Sequence, residues 1–189
     1  MSGRTLRKVG ALLLGYPDRN RFGLVLSALD DVEDPGARDL LRRFLEESLA
    51  LPDAEREGRY VATFDFREDL SLYLTFQELG DARDRAPQLL ALKREMRHCG
   101  FLCPKDELPD YIPLLLEFLA ECPDGYDDRP LSYRLARALA GIAERLGEDH
   151  PYLPLLRAIL TALPSDAAAQ EKPMGEAEDL ELPYPLRYL

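Results

Sequence analysis

The sequence predicts an all-α fold: a single compact bundle of about eight to nine helices over residues 1–163, with an acidic tail over 164–189. Three observations lead to that fold class. Apolar residues recur at helical spacing through almost every stretch of the chain. Turn punctuation at Tyr16-Pro17-Asp18, Asp34-Pro35-Gly36, Gly80-Asp81, Cys103-Pro104-Lys105, Pro123-Asp124-Gly125 and Gly147-Glu148-Asp149 leaves only short links between those stretches. The one strand-like run, Val61–Phe66, alternates for a few residues only and has no second run to pair with. It therefore reads as a loop or the edge of a helix.

Taken in order, helices are predicted at 5–15 and 21–29, the first amphipathic, with Arg4, Arg7 and Lys8 ahead of Val9-Gly10-Ala11-Leu12-Leu13-Leu14. Over 37–49, Leu40, Leu41, Phe44, Leu45 and Leu49 form one apolar stripe, and Arg42, Arg43, Glu46 and Glu47 take the other face. A helix at 68–79 precedes one at 86–99, which carries Leu89, Leu90, Leu92, Met96 and Cys99 and stops at Gly100. The stretch 109–121 starts at Pro109 or Pro113 and is apolar around most of its circumference, which predicts a central helix. Pro130 and Gly147 suit the first turn and the stop of a helix bearing Leu131, Leu135, Leu139, Ile142 and Leu146. A last helix is predicted at 152–163. Residues 165–181 set six carboxylates against Lys172 and hold few large apolar groups, a composition that predicts mobility. The terminal Leu182–Leu189 is apolar enough to dock or to remain an inert tip.

Charge narrows the function classes. With 24 Lys and Arg against 35 Asp and Glu, the net charge is −11. That speaks against neutralising nucleic-acid phosphates or docking on anionic lipid, and favours a basic polypeptide partner. Three cysteines (Cys99, Cys103, Cys122) are too few and too odd in number for a disulfide framework, so a reducing compartment fits. The apolar run 9–14 is too short for a membrane span, and Tyr16-Pro17-Asp18-Arg19 stands where a signal cleavage site would need small residues. A cytoplasmic protein is expected.

No catalytic constellation stands out. His98, Cys99 and Cys103 lack the paired short spacings of a zinc site, and Cys99 falls on an apolar helix face, so no metal is expected. There is no nucleophile elbow and no glycine-rich phosphate loop. A small helical enzyme using carboxylates or His98 is the rival from another class.

The outstanding feature is an acidic block. From Asp106 to Asp128 there are eight carboxylates and no Lys or Arg, flanking the most apolar helix of the chain. Negative charge beside apolar surface suits a basic amphipathic helix. A buried helix with charged ends is the plain alternative. A second cluster, Gly80-Asp81-Ala82-Arg83-Asp84-Arg85-Ala86, reads either as a functional loop or as an N-cap with local ion pairs, Asp81 or Asp84 capping the helix that follows.

Several ordered runs then carry a resemblance. They are Leu13-Leu14-Gly15-Tyr16-Pro17-Asp18, Tyr60-Val-Ala-Thr-Phe-Asp-Phe66, Ser71-Leu-Tyr-Leu-Thr75, Gly80-Asp-Ala-Arg-Asp-Arg85, Leu90-x-x-Leu-Lys93, Glu107-Leu-Pro-Asp-Tyr111 and Pro113-Leu-x-Leu-Glu-Phe118. Over about residues 10–145 the chain resembles the NarJ family of nitrate reductase assembly chaperones (delta subunits), related to the TorD and DmsD chaperones. Ala86 departs from that pattern, standing where Gly is frequent.

The resemblance implies an all-helical cytoplasmic chaperone and not a catalyst. It implies a client, the nitrate reductase catalytic (alpha) subunit, gripped by its N-terminal segment while molybdopterin guanine dinucleotide is inserted. The cofactor is the client's; none is expected to stay on this chain. Cofactor-biosynthesis proteins are further partners the resemblance allows, and a related molybdoenzyme is the alternative client. A permanent structural subunit is a further rival. The residues expected to meet the client are Tyr73, Asp81, Arg83, Asp84, Arg85, Glu107, Asp110, Tyr111, Leu115, Glu117 and Phe118. The apolar positions of 114–119 and Tyr73 would take its apolar face, and Glu107, Asp110 and Glu117 its cations.

Overall fold

A computed structural model describes residues 2–81 and 84–164. Among them nine α-helices form the fold: α1 (Ser2–Leu14), α2 (Arg19–Ser27), α3 (Pro35–Leu49), α4 (Asp53–Tyr60), α5 (Leu74–Leu79), α6 (Arg85–His98), α7 (Ile112–Glu121), α8 (Arg129–Leu146) and α9 (Leu153–Leu160). The only β-type pairing among these residues is a single antiparallel bridge, Tyr73 to Tyr111. The acidic tail lies outside the described residues.

The core is one contiguous cluster, and α7 and α9 lie at its centre. Leu115, Leu116, Phe118 and Leu119 of α7 and Leu155, Leu156, Ala158 and Ile159 of α9 are sealed from solvent. α1 packs on both, α3 and α8 pack on α9, and α2 packs on α1 and α3. The closest approach is glycine's doing. A Cβ on Gly10 of α1 would stand 2.8 Å from Ile159 Cγ1, so only the bare backbone lets the two helices meet.

α1 also carries charge across the bundle. Its Lys8 ammonium bonds Glu117 at 2.6 Å and also bonds Glu121, both on α7. Arg7 bonds Asp128 at 2.5 Å and the Ala162 carbonyl at 3.3 Å. Arg4 bonds Asp124 at 2.9 Å and the Cys122 carbonyl at 3.1 Å. Four of the eight carboxylates in the acidic block are thus matched by the chain's own first helix. The groove between α1 and α7, lined by Thr5, Val9 and Ala120, is shallow.

Two elements differ from the sequence reading, and the run Val61–Phe66 takes the second of its two alternatives, the edge of a helix. α4 has no apolar periodicity, because its buried positions are Arg56 and Tyr60. The Arg56 guanidinium donates to the Ser48 and Leu51 carbonyls, each at 3.3 Å, and to Asp53 at 2.5 Å, and lies over the Phe22 ring. A buried arginine does the work of an apolar residue there. The run Val61–Asp65 continues α4 as a π-helical turn. The predicted helix over 68–79 is broken: Glu68–Leu70 is a short 3-10 turn, Tyr73 is extended, and α5 starts at Leu74.

Gly10→Val should destabilise the fold by about 1–3 kcal/mol through overpacking against Ile159. In a double-mutant cycle read by chemical denaturation, Ile159→Ala should relieve part of that penalty.

Candidate functional site

Residues 71–76 and 107–112 come together because α5 and α7 start side by side. Leu74 N–H donates to the Asp110 carbonyl and Ile112 N–H donates to the Leu72 carbonyl, both at 2.8 Å. Beneath this bridge the Asp110 carboxylate is fully buried. Its Oδ2 accepts from Thr75 N–H at 3.2 Å, from Thr75 Oγ1 at 2.5 Å and from Arg85 Nη2 at 3.4 Å. Arg85 Nε in turn donates to Thr75 Oγ1 at 3.0 Å, and its guanidinium lies 5.5 Å over the Phe76 ring. One carboxylate therefore fixes α5, the first turn of α6 and the approach to α7. The other oxygen, Oδ1, has no partner among the described residues.

Above that hub the bridge turns aromatic side chains outward. The Tyr73 and Tyr111 rings pack 5.5 Å apart, and the Tyr111 hydroxyl bonds that of Tyr60 at 2.9 Å. Tyr60 meets Tyr16 edge-on at 5.5 Å. Tyr60 is buried, Tyr73 and Tyr111 are half-buried, and Tyr16 is 51% exposed. Acidic groups border this row. Tyr73 donates to Glu107 at 3.3 Å, and Glu107 is steadied by the Leu108 N–H at 2.9 Å.

The phenols register those carboxylates. Burial first, then Glu57 and Asp65, raise Tyr16. Tyr111 is raised first by burial and also by Glu107 and Asp65, against the hydrogen bond to Tyr60 and the Arg21 charge. Tyr73 is pushed up to about 12, by burial and then by Glu107. Aromatic faces edged by Glu57, Asp65 and Glu107 can stack on and pair with cationic side chains.

Of the residues predicted to meet a client, the fold brings Tyr73, Glu107 and Tyr111 onto this face. Asp110 and Arg85 build its support, Asp110 fully buried and Arg85 half-buried. Leu115 and Phe118 are corrections to the sequence reading: both are fully buried, because α7 is enclosed on its apolar sides by α1 and neighbouring elements. Glu117 is half-buried on α7, away from this face, and its carboxylate pairs with Lys8. Asp81 and Asp84 are exposed on the turn before α6, and Asp84 stands at the N-cap position without a side-chain cap bond. Arg83 lies outside the described residues. Tyr16, Glu57, Tyr60 and Asp65 join the site from the fold. Tyr16, Tyr60 and Asp65 stand in the runs Leu13–Asp18 and Tyr60–Phe66, but nothing in those runs tells a surface tyrosine from a core one.

No group of three His, Cys, Asp or Glu residues able to hold a metal occurs among the described residues, and no helix there is long and apolar enough to cross a membrane. Burial pushes the thiols of Cys99, Cys103 and Cys122 up, the opposite of an activated cysteine.

Two measurements check this geometry. Asp110→Ala leaves Thr75 and Arg85 without their acceptor and should cost about 1–3 kcal/mol in chemical denaturation. The neutral Tyr73 phenol is favoured by the fold, since its pKa rises from 10.0 to about 12. That stabilisation is complete below the unfolded value and is lost as pH climbs through the folded one. A phenolate absorbance titration should show a late step that Tyr73→Phe removes and Glu107→Gln moves to lower pH.

Comparison with known proteins agrees with this fold. Residues 30–157 match the family described as nitrate reductase delta subunit. NarJ of Bacillus subtilis 168, described as a "probable nitrate reductase molybdenum cofactor assembly chaperone", is 34% identical over 158 residues, covering 80% of this chain and 84% of that protein. NarJ of Escherichia coli K12, described as a nitrate reductase molybdenum cofactor assembly chaperone, is 31% identical over 141 residues, covering 72% and 59%. The nitrate reductase-like protein NarX of Mycobacterium tuberculosis H37Rv is 34% identical over 151 residues, 79% of this chain, which spans only 23% of NarX. The crystal structure of a redox enzyme maturation protein from Archaeoglobus fulgidus superposes with a TM-score of 0.61 at 19% identity, covering 85% of this chain and 93% of that one. The chain belongs to the nitrate reductase delta subunit family.

Proposed function

We propose that this protein is a cytoplasmic assembly chaperone that holds the N-terminal segment of a nitrate reductase catalytic subunit until molybdopterin guanine dinucleotide has been inserted into that client. The observation that carries the reading is the accessible row of Tyr16, Tyr111 and Tyr73 edged by Glu57, Asp65 and Glu107, in a chain of this family. A basic, amphipathic segment fits that face. Its cations meet the carboxylates, and its apolar side chains desolvate the tyrosine rings. Most of the affinity comes from the few desolvated aromatic contacts, and charge supplies orientation and association rate. Asp81 and Asp84, on the exposed turn before α6, extend the negative field toward the same segment.

Holding requires no bond making. Binding favours the client conformation with an open cofactor site, and closure of the loaded client withdraws the segment, because ligand and chaperone stabilise different client states.

The test is titration calorimetry of the full chain with a peptide of the client's N-terminal segment. Micromolar binding is expected. Glu107→Lys should weaken it about tenfold and flatten its salt dependence, and Tyr73→Ala should weaken it by a similar factor. Glu117→Lys, which breaks the pair with Lys8, should lower stability and leave affinity unchanged. Absence of micromolar binding would overturn the reading, and equal weakening by Glu117→Lys would move the site to α7.

A further inference from the structure

The sign of the charge reverses along the second half of α6. Between residues 90 and 105 the chain carries Lys93, Arg94, Arg97 and Lys105 against Glu95 alone, although its net charge is −11. Glu95 is spent on the Tyr126 hydroxyl at 2.6 Å. All four cations are exposed, and none of them takes part in an ion pair or a side-chain hydrogen bond among the described residues. The contrast with α1 is direct, since Arg4, Arg7 and Lys8 are all matched by carboxylates.

Apolar surface lies among these charges. Leu90, which the sequence reading places on the buried stripe of its helix, is 56% exposed, whereas Leu92 and Met96 fill the core. Leu90, Lys93, Arg94 and Arg97 stand at i, i+3, i+4 and i+7, on one helical face. The chain then turns back along the same helix. Gly100, at φ 77°, closes the turn, and Phe101 N–H donates to the Met96 carbonyl at 2.8 Å. Phe101 packs inward on Phe118, which leaves Leu102 on the outside at 85% exposure. Lys93 lies close enough to Cys103 for its charge to act on that thiol. Leu102 and Lys105 thus flank the helical face, and Asp106 marks its border with the acidic side.

We infer that Leu90, Lys93, Arg94, Arg97, Leu102 and Lys105 form a second docking surface, whose partner is a polypeptide presenting an acidic helix face with apolar side chains at its centre. The charge decides the occupant. A cationic segment such as the proposed client leader is repelled by four cations that have no ion pair among the described residues, while carboxylates are attracted to them. The two leucines select a partner with its own apolar centre over a bare polyanion, because exposed apolar groups gain only by mutual burial. The two faces bear opposite signs, so two partners of opposite charge can be held at once.

The experiment uses a fluorescent helical peptide with Leu at i, i+3, i+4 and i+7 bordered by Glu, and a scrambled peptide of identical composition. Anisotropy is read with the full chain at about physiological ionic strength. The patterned peptide should bind and the scrambled one should bind about tenfold more weakly. Lys93→Glu combined with Arg94→Glu and Arg97→Glu should cost at least about tenfold, and Leu90→Ser with Leu102→Ser severalfold. All these positions are exposed, and circular dichroism confirms folding. The client N-terminal peptide should bind each variant as it binds the parent, so failure of that peptide alone overturns the proposed function and leaves this inference standing. Equal affinity for the patterned and scrambled peptides, or indifference to the leucine changes, would overturn it.

Discussion

The fold depends on one contact, the packing of α1 across α7 and α9. Gly10 brings the α1 backbone against Ile159, and Leu6, Leu13 and Leu14 close the core from that side. The same helix delivers Arg4, Arg7 and Lys8 to Asp124, Asp128, Glu117 and Glu121. These pairs are partly exposed, so each adds little to stability. Their larger consequence is electrostatic. The acidic strip beside the most apolar helix is neutralised from within, and Glu107 is left as negative surface at the opposite end of α7.

At that end a second constraint takes over. A buried carboxylate is tolerated only with donors around it. Asp110 gathers Thr75 and Arg85 and thereby holds the starts of α5, α6 and α7 in register. The Tyr73–Tyr111 bridge sits on this hub, so the aromatic row above it is held on backbone that cannot drift. A face built this way is fixed by its own supports, the arrangement that lowers the ordering cost of any binding.

The loop from Cys99 to Tyr111 then separates two environments of opposite sign. On one side stand the α6 cations Lys93, Arg94 and Arg97, without an ion pair among the described residues, on the other Glu107 and the tyrosines. The family assignment is consistent with a role in recognition: the distinguishing groups of this chain are positioned aromatic rings and carboxylates, and its three thiols are all pushed up rather than activated.

The sequence by itself determined the helical architecture, because a period of 3.6 in leucine placement and glycine or proline at the breaks require only local geometry. It also determined the charge of the acidic block and named Tyr73, Glu107 and Tyr111, which the fold gathers on one face, among the residues expected to meet a client. α4 escaped because its buried residues are an arginine and a tyrosine, which periodicity does not count as core. What only tertiary structure decided is which groups cancel. Glu117 and Glu107 are alike in sequence, but Lys8 of a distant helix neutralises the first, while the second meets a tyrosine at the surface. Leu115 and Leu90 both lie on predicted apolar stripes, yet one is sealed by α1 and its neighbours and the other stands in solvent. Burial and charge pairing are properties of packing between elements far apart in the chain, and local spacing carries no record of them.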